Sequence, residues 1–280
     1  MRLAHPPWAS SERPALHWIL YLAVALVATP VVVVIFFYVF TKGALVLRHL
    51  KHGPRSPADH VYPIYSQMWL MRLVDFQPVI SAILLFQYDV LVSRIVADLR
   101  KMSLQGQDVL ITSCAFGNVI PRVVAAALGA GARKVKIVDI IGNELLHARG
   151  KLRQFEDRLE FDQADATAMT LPTGSVAANV LFFLLHELDP DMKRHAIAEA
   201  VRLLAPGGKL FMAEFHKPDL GVLRALSWLY FKTFEPFGLA LWDVQDPVTQ
   251  LNDMDGIRWE RSTALFGNFQ VIVATRRLAD

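Results

Sequence analysis

Two groups of polar residues in this sequence have the types and the spacing that chemistry requires. The first begins with the small-residue run 113–117 (SCAFG), which follows the apolar, β-branched segment 109–112. Small residues let a backbone turn approach a ligand closely, and the N-terminus of a following helix offers unpaired N–H groups. Asp139 stands 22 residues after Gly117, where nucleotide-binding folds place a carboxylate against ribose hydroxyls. Asp165 follows a third apolar segment, so the sequence predicts a nucleoside site at the ends of three strands.

Each part of this predicted site also has a simpler interpretation. A turn with a single Gly joins many strands to helices, and an Asp after a strand is often a helix cap or a solvated loop acid. The nucleoside site is favoured because the turn and both acids occur in register along the chain.

The second group consists of His and Glu residues that close two further apolar segments. His186 and Glu187 follow one of them, and Glu214 and His216 lie at the end of the other. If the two strands are neighbours, the four side chains converge on one pocket. They could then act as general acid and base, or supply oxygen and nitrogen ligands to a divalent metal ion. A His at a strand end is also commonly hydrogen-bonded at the surface without any chemical role.

Apolar and amphipathic segments alternate along residues 105–280, which is typical of an α/β fold. Strands are predicted at 108–113, 134–139, 159–163, 177–184, 208–215 and 269–275. Helices are predicted at about 118–130, 142–154 and 191–204. Alternation of this kind predicts a doubly wound, mostly parallel sheet with helices on both faces.

Residues 61–104 are predicted to form a helical cap over the substrate entrance. The main element is one long helix at 77–102, with Pro78 in its first turn, an apolar front half and an amphipathic back half. A second membrane span is an alternative that Asp89 and Arg94 interrupt, and contact with the bilayer surface stays open. Aromatic clusters at 228–231, 234–237 and 241–242 predict core packing or an apolar lid for a greasy substrate.

The N-terminal region has the composition of a membrane anchor. Residues 1–15 are predicted to be flexible, and 16–40 contain no Lys, Arg, Asp or Glu over 25 residues. A helix of that length covers about 37 Å at ~1.5 Å per residue, enough to cross a hydrocarbon core of ~30 Å. The segment at 41–60 is a basic linker, which places it on the cytoplasmic side of the inner membrane in a single-pass topology. A buried core helix or a cleaved signal peptide fits a run of this length less well.

Charge is divided unevenly along the chain, and this excludes some classes of protein. Residues 1–58 carry six Lys or Arg and one acid (+5), whereas 59–280 carry 23 and 25 (−2), which together give the net charge of +3. The body of the chain is therefore not a basic nucleic-acid binder. The single cysteine, Cys114, excludes an intramolecular disulfide, and we predict that it is a small packing residue rather than a nucleophile.

The order of these motifs resembles that of the class I S-adenosylmethionine-dependent methyltransferases. The similarity covers about 105–275 and includes the 113–117 turn, Asp139, the Asp165-Ala166 pair, the strand end at 183–186 and the Pro-Gly-Gly turn at 206–208. It implies that S-adenosylmethionine is the cofactor, with Asp139 at the ribose and Asp165 and Ala166 at the adenine. The residues implied at the methionine end of the cofactor are Ser113, Ala115, Phe116 and Gly117. Phe183, near the end of the predicted strand 177–184, is a further cofactor-binding residue that the resemblance implies.

Within that family the chain is most similar to the methyltransferase-like enzymes of rhodoquinone biosynthesis. The residues responsible lie at 61–65, 182–187, 215–218, 234–237, 241–242 and 266–270. The resemblance implies an amino transfer from S-adenosylmethionine to a lipophilic quinone in the bilayer, with manganese as a further cofactor. The metal would take its ligands from the second group of polar residues. Methyl transfer to another lipophilic substrate and a cofactor-binding scaffold without activity are the alternatives.

One position departs from the family pattern. Methyltransferases of this class carry an Asp or Glu in the first strand, two residues before the turn, and that carboxylate holds the ammonium of the cofactor. The corresponding residue in this chain is Ile111. A charged ammonium beside an apolar side chain is costly unless another group pairs with it. The sequence therefore predicts an unusual cofactor site, in which the amine is neutral, another acid substitutes, or the site is degenerate.

Overall fold

The computed structural model describes residues 68–278 apart from 234, 244, 249, 250, 252, 253 and 255, together with the isolated positions 28, 31 and 35. The chain divides after Pro63 into two units, and the fold below is that of the second unit, Ile64–Asp280. The predicted N-terminus at 1–15, the basic linker at 41–60 and, apart from the three isolated positions, the predicted span at 16–40 lie outside the described residues.

A seven-stranded sheet forms the centre of this unit and confirms the predicted α/β class. Its strands in spatial order are β3, β2, β1, β4, β5, β7 and β6, of which the first five are parallel and the last two antiparallel. Their bounds are β1 Asp108–Thr112, β2 Lys134–Asp139, β3 Leu159–Gln163, β4 Val176–Phe182, β5 Leu204–Phe215, β6 Ile257–Ala264 and β7 Phe269–Arg276.

The two central strands explain why the apolar segments were readable in the sequence. Every residue of β1 and of β4 is buried, because helices cover both faces of the parallel part of the sheet. Thr112 and Asn179 are polar members of these strands, and they satisfy each other through a hydrogen bond of 2.9 Å between Oγ1 and Oδ1. The carboxyl ends of the parallel strands therefore form one edge, where ligands bind in open α/β sheets.

Eight α-helices are described in this unit, and two short 3₁₀ helices accompany them. The cap contains α1 Met68–Val74, α2 Gln77–Ile83 and α3 Tyr88–Arg100. The remaining helices are α4 Val119–Gly129, α5 Gly142–Lys151, α6 Pro190–Arg202, α7 Gly221–Thr233 and α8 Pro236–Ala240, and the 3₁₀ helices are Arg153–Arg158 and Leu185–Glu187. Asp189 caps α6 by accepting hydrogen bonds from the N–H groups of Asp191 and Met192.

The prediction of one helix over 77–102 is wrong. The segment forms α2 and α3, whose axes differ by 99°, and Leu85 and Phe86 between them have left-handed backbone angles, with φ of 49° and 59°. Pro78 lies at the start of α2 as predicted. No single helix in the described part of the chain is both long enough and apolar enough to span a membrane. Helices α2 and α3 meet these two criteria together, but only as a bent pair.

The far edge of the sheet also differs from the prediction. Strand β6 was not predicted, because most of its side chains are exposed and polar. The Pro-Gly-Gly segment, predicted as a turn before a strand, lies inside β5, where the pairing with β4 is irregular between Val176 and Ala178. A Cβ on Gly208 would lie 2.8 Å from the carbonyl oxygen of Ala205, so this irregularity requires Gly.

Candidate functional site

The turn after β1 is shaped by a close contact with the cap. Gly117 has φ of +83°, and a Cβ at this position would lie 2.4 Å from the Tyr88 hydroxyl oxygen. That hydroxyl donates to the carbonyl oxygen of Phe116 at 3.0 Å and accepts from the N–H of Val119 at 2.7 Å. Burial raises the pKa of Tyr88 well above its ordinary value. The Gly of the turn therefore makes room for Tyr88, a role that the sequence did not indicate.

Two residues hold strained backbone at the carboxyl edge. Ser113 at the end of β1 has φ of 79°, and Phe183 at the end of β4 has φ of 54°. Residues other than Gly adopt this region rarely, and such strain is concentrated at functional sites. The two strands are neighbours in the sheet, so both strained residues lie at one point of its edge.

Asp139 organises the turn from the end of β2. Its Oδ2 accepts a hydrogen bond of 2.6 Å from the N–H of Cys114, and its Oδ1 accepts one of 2.7 Å from the N–H of Ile141. Burial raises the pKa of Asp139, while these two N–H groups oppose that rise. The carboxylate lies at the predicted place, and in this structure its oxygens hold the turn and the start of α5.

Glu144 is a buried acid that the sequence did not single out. It is hydrogen-bonded to Asp139, and burial together with the Asp139 charge raises its pKa well above the ordinary value. The two carboxyl groups therefore share a proton, with Glu144 as the protonated partner. The neighbouring Cys114 thiol is also protonated, because burial and then Asp139 raise its pKa, which agrees with the packing role predicted for it.

Replacing Glu144 with Gln should change how stability depends on pH. The unfolded chain loses this proton near pH 4.5, whereas the folded chain retains it, so the unfolding free energy falls as the pH rises above that value. Gln has the same shape and does not titrate. The unfolding temperature of the variant, relative to wild type, should therefore rise between pH 5 and pH 8. The exposed Glu156→Gln serves as control and should show no such trend; an equal trend in both variants would contradict the shared proton.

A cluster of charged side chains from the cap and α5 closes over the turn. Asp75 Oδ1 accepts from the N–H of Gly117 at 2.7 Å and from Lys151 Nζ at 2.7 Å, and its Oδ2 lies 3.0 Å from His147 Nε2. Lys151 Nζ also donates to the carbonyl oxygen of Gly117 at 2.7 Å. Sequence reasoning missed this cluster, because Asp75 lies 42 residues before Gly117 and no local pattern connects them.

A cleft adjoins this cluster and the turn. Its empty volume, which includes space open to solvent, is about 190 Å³. The residues that line it come from the cap, the turn, α4 and α5: Met71, Asp75, Cys114, Ala115, Phe116, Ile120, Glu144, His147, Ala148 and Lys151.

The predicted adenine-side residues lie at the same edge as Asp139. Asp139 pairs with Gln163 in the sheet, and Asp165 follows two residues later with Ala166 beside it. Asp165 Oδ1 accepts hydrogen bonds of 2.8 Å from both the N–H and the hydroxyl of Thr167. Asp165 thus forms a local turn here, as in the simpler interpretation, while its position still matches the predicted site.

His186 and Glu214 meet, as predicted for side chains of neighbouring strands. His186 Nδ1 lies 3.1 Å from Glu214 Oε1, and the Glu214 carboxylate also accepts from the N–H groups of Leu185, His186 and Phe215. Burial lowers the pKa of His186, but the Glu214 charge and hydrogen bond outweigh this effect and raise it to about 9. His186 is therefore a cation at neutral pH, and Glu214 is a fully bonded structural carboxylate.

The other two members of the group do not join this pair. His216 Nδ1 lies 2.7 Å from the carbonyl oxygen of Gly267, to which it is hydrogen-bonded. The backbone N–H of His216 donates to the carbonyl oxygen of Asn268. Glu187 lies on the 3₁₀ helix beside His186 and adds to the rise of the His186 pKa. No set of three or more His, Cys, Asp or Glu side chains in the described residues is arranged to hold a metal ion. This donor set does not fit the manganese site that the resemblance implied.

Aromatic side chains surround His186 at this edge. The ring of Phe215 lies 4.8 Å from that of Phe183, 5.0 Å from that of His186 and 4.8 Å from that of Phe231, measured between centroids. The imidazolium thus has an apolar, aromatic wall beside it, to which the aromatic cluster 228–231 contributes Phe231.

Comparison with known proteins finds a family match for part of the chain. Residues 109–208 match the protein family described as methyltransferase domain. The match agrees with the resemblance seen in the sequence and with S-adenosylmethionine as the predicted cofactor. In this methyltransferase domain the matched segment runs from β1 to the irregular start of β5 and contains the turn, Asp139, Asp165 and His186.

Solved structures share the fold of this chain. A CurJ carbon methyltransferase superposes with a TM-score of 0.60 at 14% identity, covering 91% of this chain and 70% of that one. An O-methyltransferase family protein from Burkholderia thailandensis gives 0.52 at 14% identity, covering 86% and 64%. At these identities the similarity concerns the fold alone.

The curated relatives that match this part of the chain are named as methyltransferases that act in quinone biosynthesis or on demethylmenaquinone. A demethylmenaquinone methyltransferase from Clavibacter sepedonicus is 33% identical over 113 residues, covering 40% of this chain and 44% of the relative. A ubiquinone/menaquinone biosynthesis C-methyltransferase UbiE from Methylobacterium nodulans is 34% identical over 97 residues, covering 34% and 38%. The chain thus spans less than half the length of the curated relatives it matches.

The residues at the turn fit the cofactor of this methyltransferase family. The buried Oδ1 of Asn118, at the end of the turn, has no hydrogen-bond partner, so it can accept from a hydroxyl or an ammonium of a ligand. Ala115 lines the cleft, and Ser113 two residues before it has left-handed backbone. The residues predicted to hold the cofactor stay those of the turn, with Asp139 and Asp165 on the nucleoside side.

Proposed function

We propose that this chain is a membrane-anchored, S-adenosylmethionine-dependent transferase that modifies a lipophilic quinone. The observation that carries the proposal is the match of the methyltransferase domain to relatives named as quinone methyltransferases, at 31–36% identity over 30–40% of the chain. The cofactor, when bound, supplies an activated methyl group, and the chain positions it and the acceptor.

The proposed anchor is the apolar segment 16–40. It has the length of a single span, and the basic segment after it favours a cytoplasmic position for the methyltransferase domain at the inner membrane. A polyprenylated substrate stays in the bilayer, so tethering raises its effective concentration at the enzyme. The proposed partners are accordingly the membrane and a lipophilic small molecule within it.

Exposed apolar side chains support the proposal that the substrate is lipophilic. Helix α7, which follows β5, exposes Val222, Leu226, Trp228 and Leu229, and the α2–α3 bend exposes Phe86 with 75% of its surface accessible. Apolar surfaces of this kind mark sites that bind lipids or proteins. Helix α7 follows β5, which carries Glu214, and the α2–α3 bend directly precedes Tyr88.

His186 is the proposed cation beside the quinone ring. Its side chain is 11% exposed, and its Nδ1 lies 3.1 Å from Glu214 Oε1. A fixed cation stabilises the negative charge of a quinol oxygen that has lost its proton, which is the form that attacks an electrophile. At neutral pH the charged imidazolium cannot act as the general base, which limits its proposed role to charge stabilisation and proton donation.

Methyl transfer is the reaction named for the relatives, and amino transfer is the finer alternative. Ile111 favours the alternative, because the cofactor ammonium has no strand carboxylate beside it and a neutral amine could act as a nucleophile. Amino transfer would replace a quinone methoxy group by an amine. The two reactions change the mass of the quinone in opposite directions.

Mass spectrometry of the products tests this proposal. Membranes containing the full chain, S-adenosylmethionine and a polyprenylated quinone or quinol should yield a product heavier by one CH₂ for methyl transfer. Amino transfer gives instead a product lighter by the difference between OCH₃ and NH₂. Membranes without the chain are the control. An unchanged quinone together with intact cofactor binding would overturn the transferase proposal in favour of a scaffold.

A further inference from the structure

The amino-acid end of S-adenosylmethionine carries one positive and one negative charge, and both need partners in the site. The carboxylate that the family uses for the ammonium is absent, since Ile111 is buried and apolar in β1. Leaving an ammonium unpaired in a largely buried site is costly. A carboxylate from another element must take its place if the cofactor binds as a zwitterion.

Two acids line the cleft beside the turn, and only one of them is an anion. Glu144 shares its proton with Asp139 and is the protonated member of that pair. The Asp139 oxygens are engaged with the N–H groups of Cys114 and Ile141. Asp75 is paired with the Lys151 ammonium at 2.7 Å and is therefore the carboxylate that remains.

Lys151 supplies the matching positive charge. Its ammonium contacts Asp75 and also the carbonyl oxygen of Gly117, so it lies directly against the turn. The pair is partly buried, with 13% of the Asp75 side chain and 20% of the Lys151 side chain exposed. Charge-assisted hydrogen bonds in such a setting are stronger than those at a fully exposed surface.

We propose that Asp75 and Lys151 bind the amino-acid end of the cofactor, Asp75 taking the ammonium and Lys151 the carboxylate. The assignment rests on the proposed function. In the structure the two side chains neutralise each other across the turn. Opening this pair to admit a zwitterion exchanges one ion pair for two, so the charges stay balanced throughout. The missing strand carboxylate is thus supplied by the cap, from outside the matched segment 109–208.

This assignment explains why the cap contacts the turn. The N–H of Gly117 now donates to Asp75, and its carbonyl oxygen accepts from Lys151. Entry of the cofactor therefore requires the Asp75 and Lys151 side chains to separate. His147, which contacts the second Asp75 oxygen, keeps that carboxylate oriented while Lys151 turns to the ligand.

Calorimetry with two ligands tests the assignment on the full chain in detergent micelles. S-adenosylhomocysteine carries the amino-acid end, and methylthioadenosine has the same nucleoside without it. Asp75→Asn should weaken S-adenosylhomocysteine binding about 10- to 100-fold, the effect of one charge-assisted hydrogen bond, and should leave methylthioadenosine binding unchanged. Lys151→Met should give the same pattern. Asp89→Asn, the same change at an exposed cap position paired with Arg122, is the matched control and should affect neither ligand.

Each result decides the matter, because retained methylthioadenosine binding reports a folded site in the same sample. Equal affinities of wild type and Asp75→Asn for S-adenosylhomocysteine would overturn the assignment. Tighter binding by the variant would also overturn it, since Asp75 would then compete with the cofactor instead of holding it. If wild type binds neither ligand, the proposed function itself fails, and the two failures are thereby distinguished.

Discussion

Replacing Lys193 with Met should lower the free energy of unfolding by about 3–5 kcal/mol. Lys193 Nζ lies 2.9 Å from Asp246 Oδ2, and both side chains are completely inaccessible to solvent. Nζ also donates to the carbonyl oxygen of Phe237. Met fills a similar volume but leaves the Asp246 carboxylate buried without a counter-charge, which is the costly part of breaking such a pair. The unfolding temperature should fall by roughly 6–20 °C for a unit of this size.

The control for this prediction removes both charges. In the double variant Lys193→Met with Asp246→Asn, the amide oxygen still accepts from the N–H of Val248, as Asp246 Oδ1 does in wild type. Most of the lost stability should therefore return. Equal unfolding temperatures for the single and the double variant would contradict the ion pair as the cause. Because the pair joins α6 to residues 237–248, its loss should loosen the segment after α7 first.

Glu214→Gln should destabilise the protein by a similar amount, about 3–5 kcal/mol, and should abolish activity through that loss of structure. The carboxylate accepts from three backbone N–H groups and from His186, divided between its two oxygens. A Gln amide keeps one accepting oxygen, so about half of these bonds are lost and a donor faces donors. Chemical denaturation monitored by tryptophan fluorescence provides the measurement.

A surface Glu provides the matched control for this change. Glu260→Gln on β6 removes the same charge at a site where 63% of the side chain is exposed, and it should alter stability by no more than about 0.5 kcal/mol. A Glu214→Gln variant that is as stable as wild type but inactive would instead make Glu214 a chemical participant.

The His186–Glu214 pair also sets a pH window for stability. The pKa of His186 is about 9 in the folded chain and 6.5 in the unfolded one, so the contribution is complete below pH 6.5 and is lost as the pH rises through 9. The Glu144 proton acts in the same direction. The wild-type protein should accordingly be less stable at pH 9 than at pH 6.

The sequence predicted the strands that are buried and missed what depends on distant contacts. Strands β1 to β5 and β7 were readable because apolar, β-branched runs alternate with helices. Strand β6 is mostly exposed and polar, so it carries little signal. The break between α2 and α3 contains neither Gly nor Pro, and its left-handed residues Leu85 and Phe86 give no warning in the sequence.

The candidate site divides in the same way. The turn, Asp139, Asp165 and the meeting of His186 with Glu214 follow from strand ends that share one edge. Tyr88, Asp75 and Lys151 reach the turn from 28 or more residues away, through contacts that only the folded cap creates. Pattern reasoning within one segment cannot find partners of this kind.

The buried state of Cys114 has a practical consequence. It is the only cysteine in the chain, and burial and nearby carboxyl groups keep its sulfur as an unreactive thiol. Maleimide reagents should therefore label the wild-type protein only weakly. A cysteine introduced at an exposed position such as Phe86 can carry a spin label or a fluorophore. Two such cysteines give a distance that can follow the cap as ligands arrive.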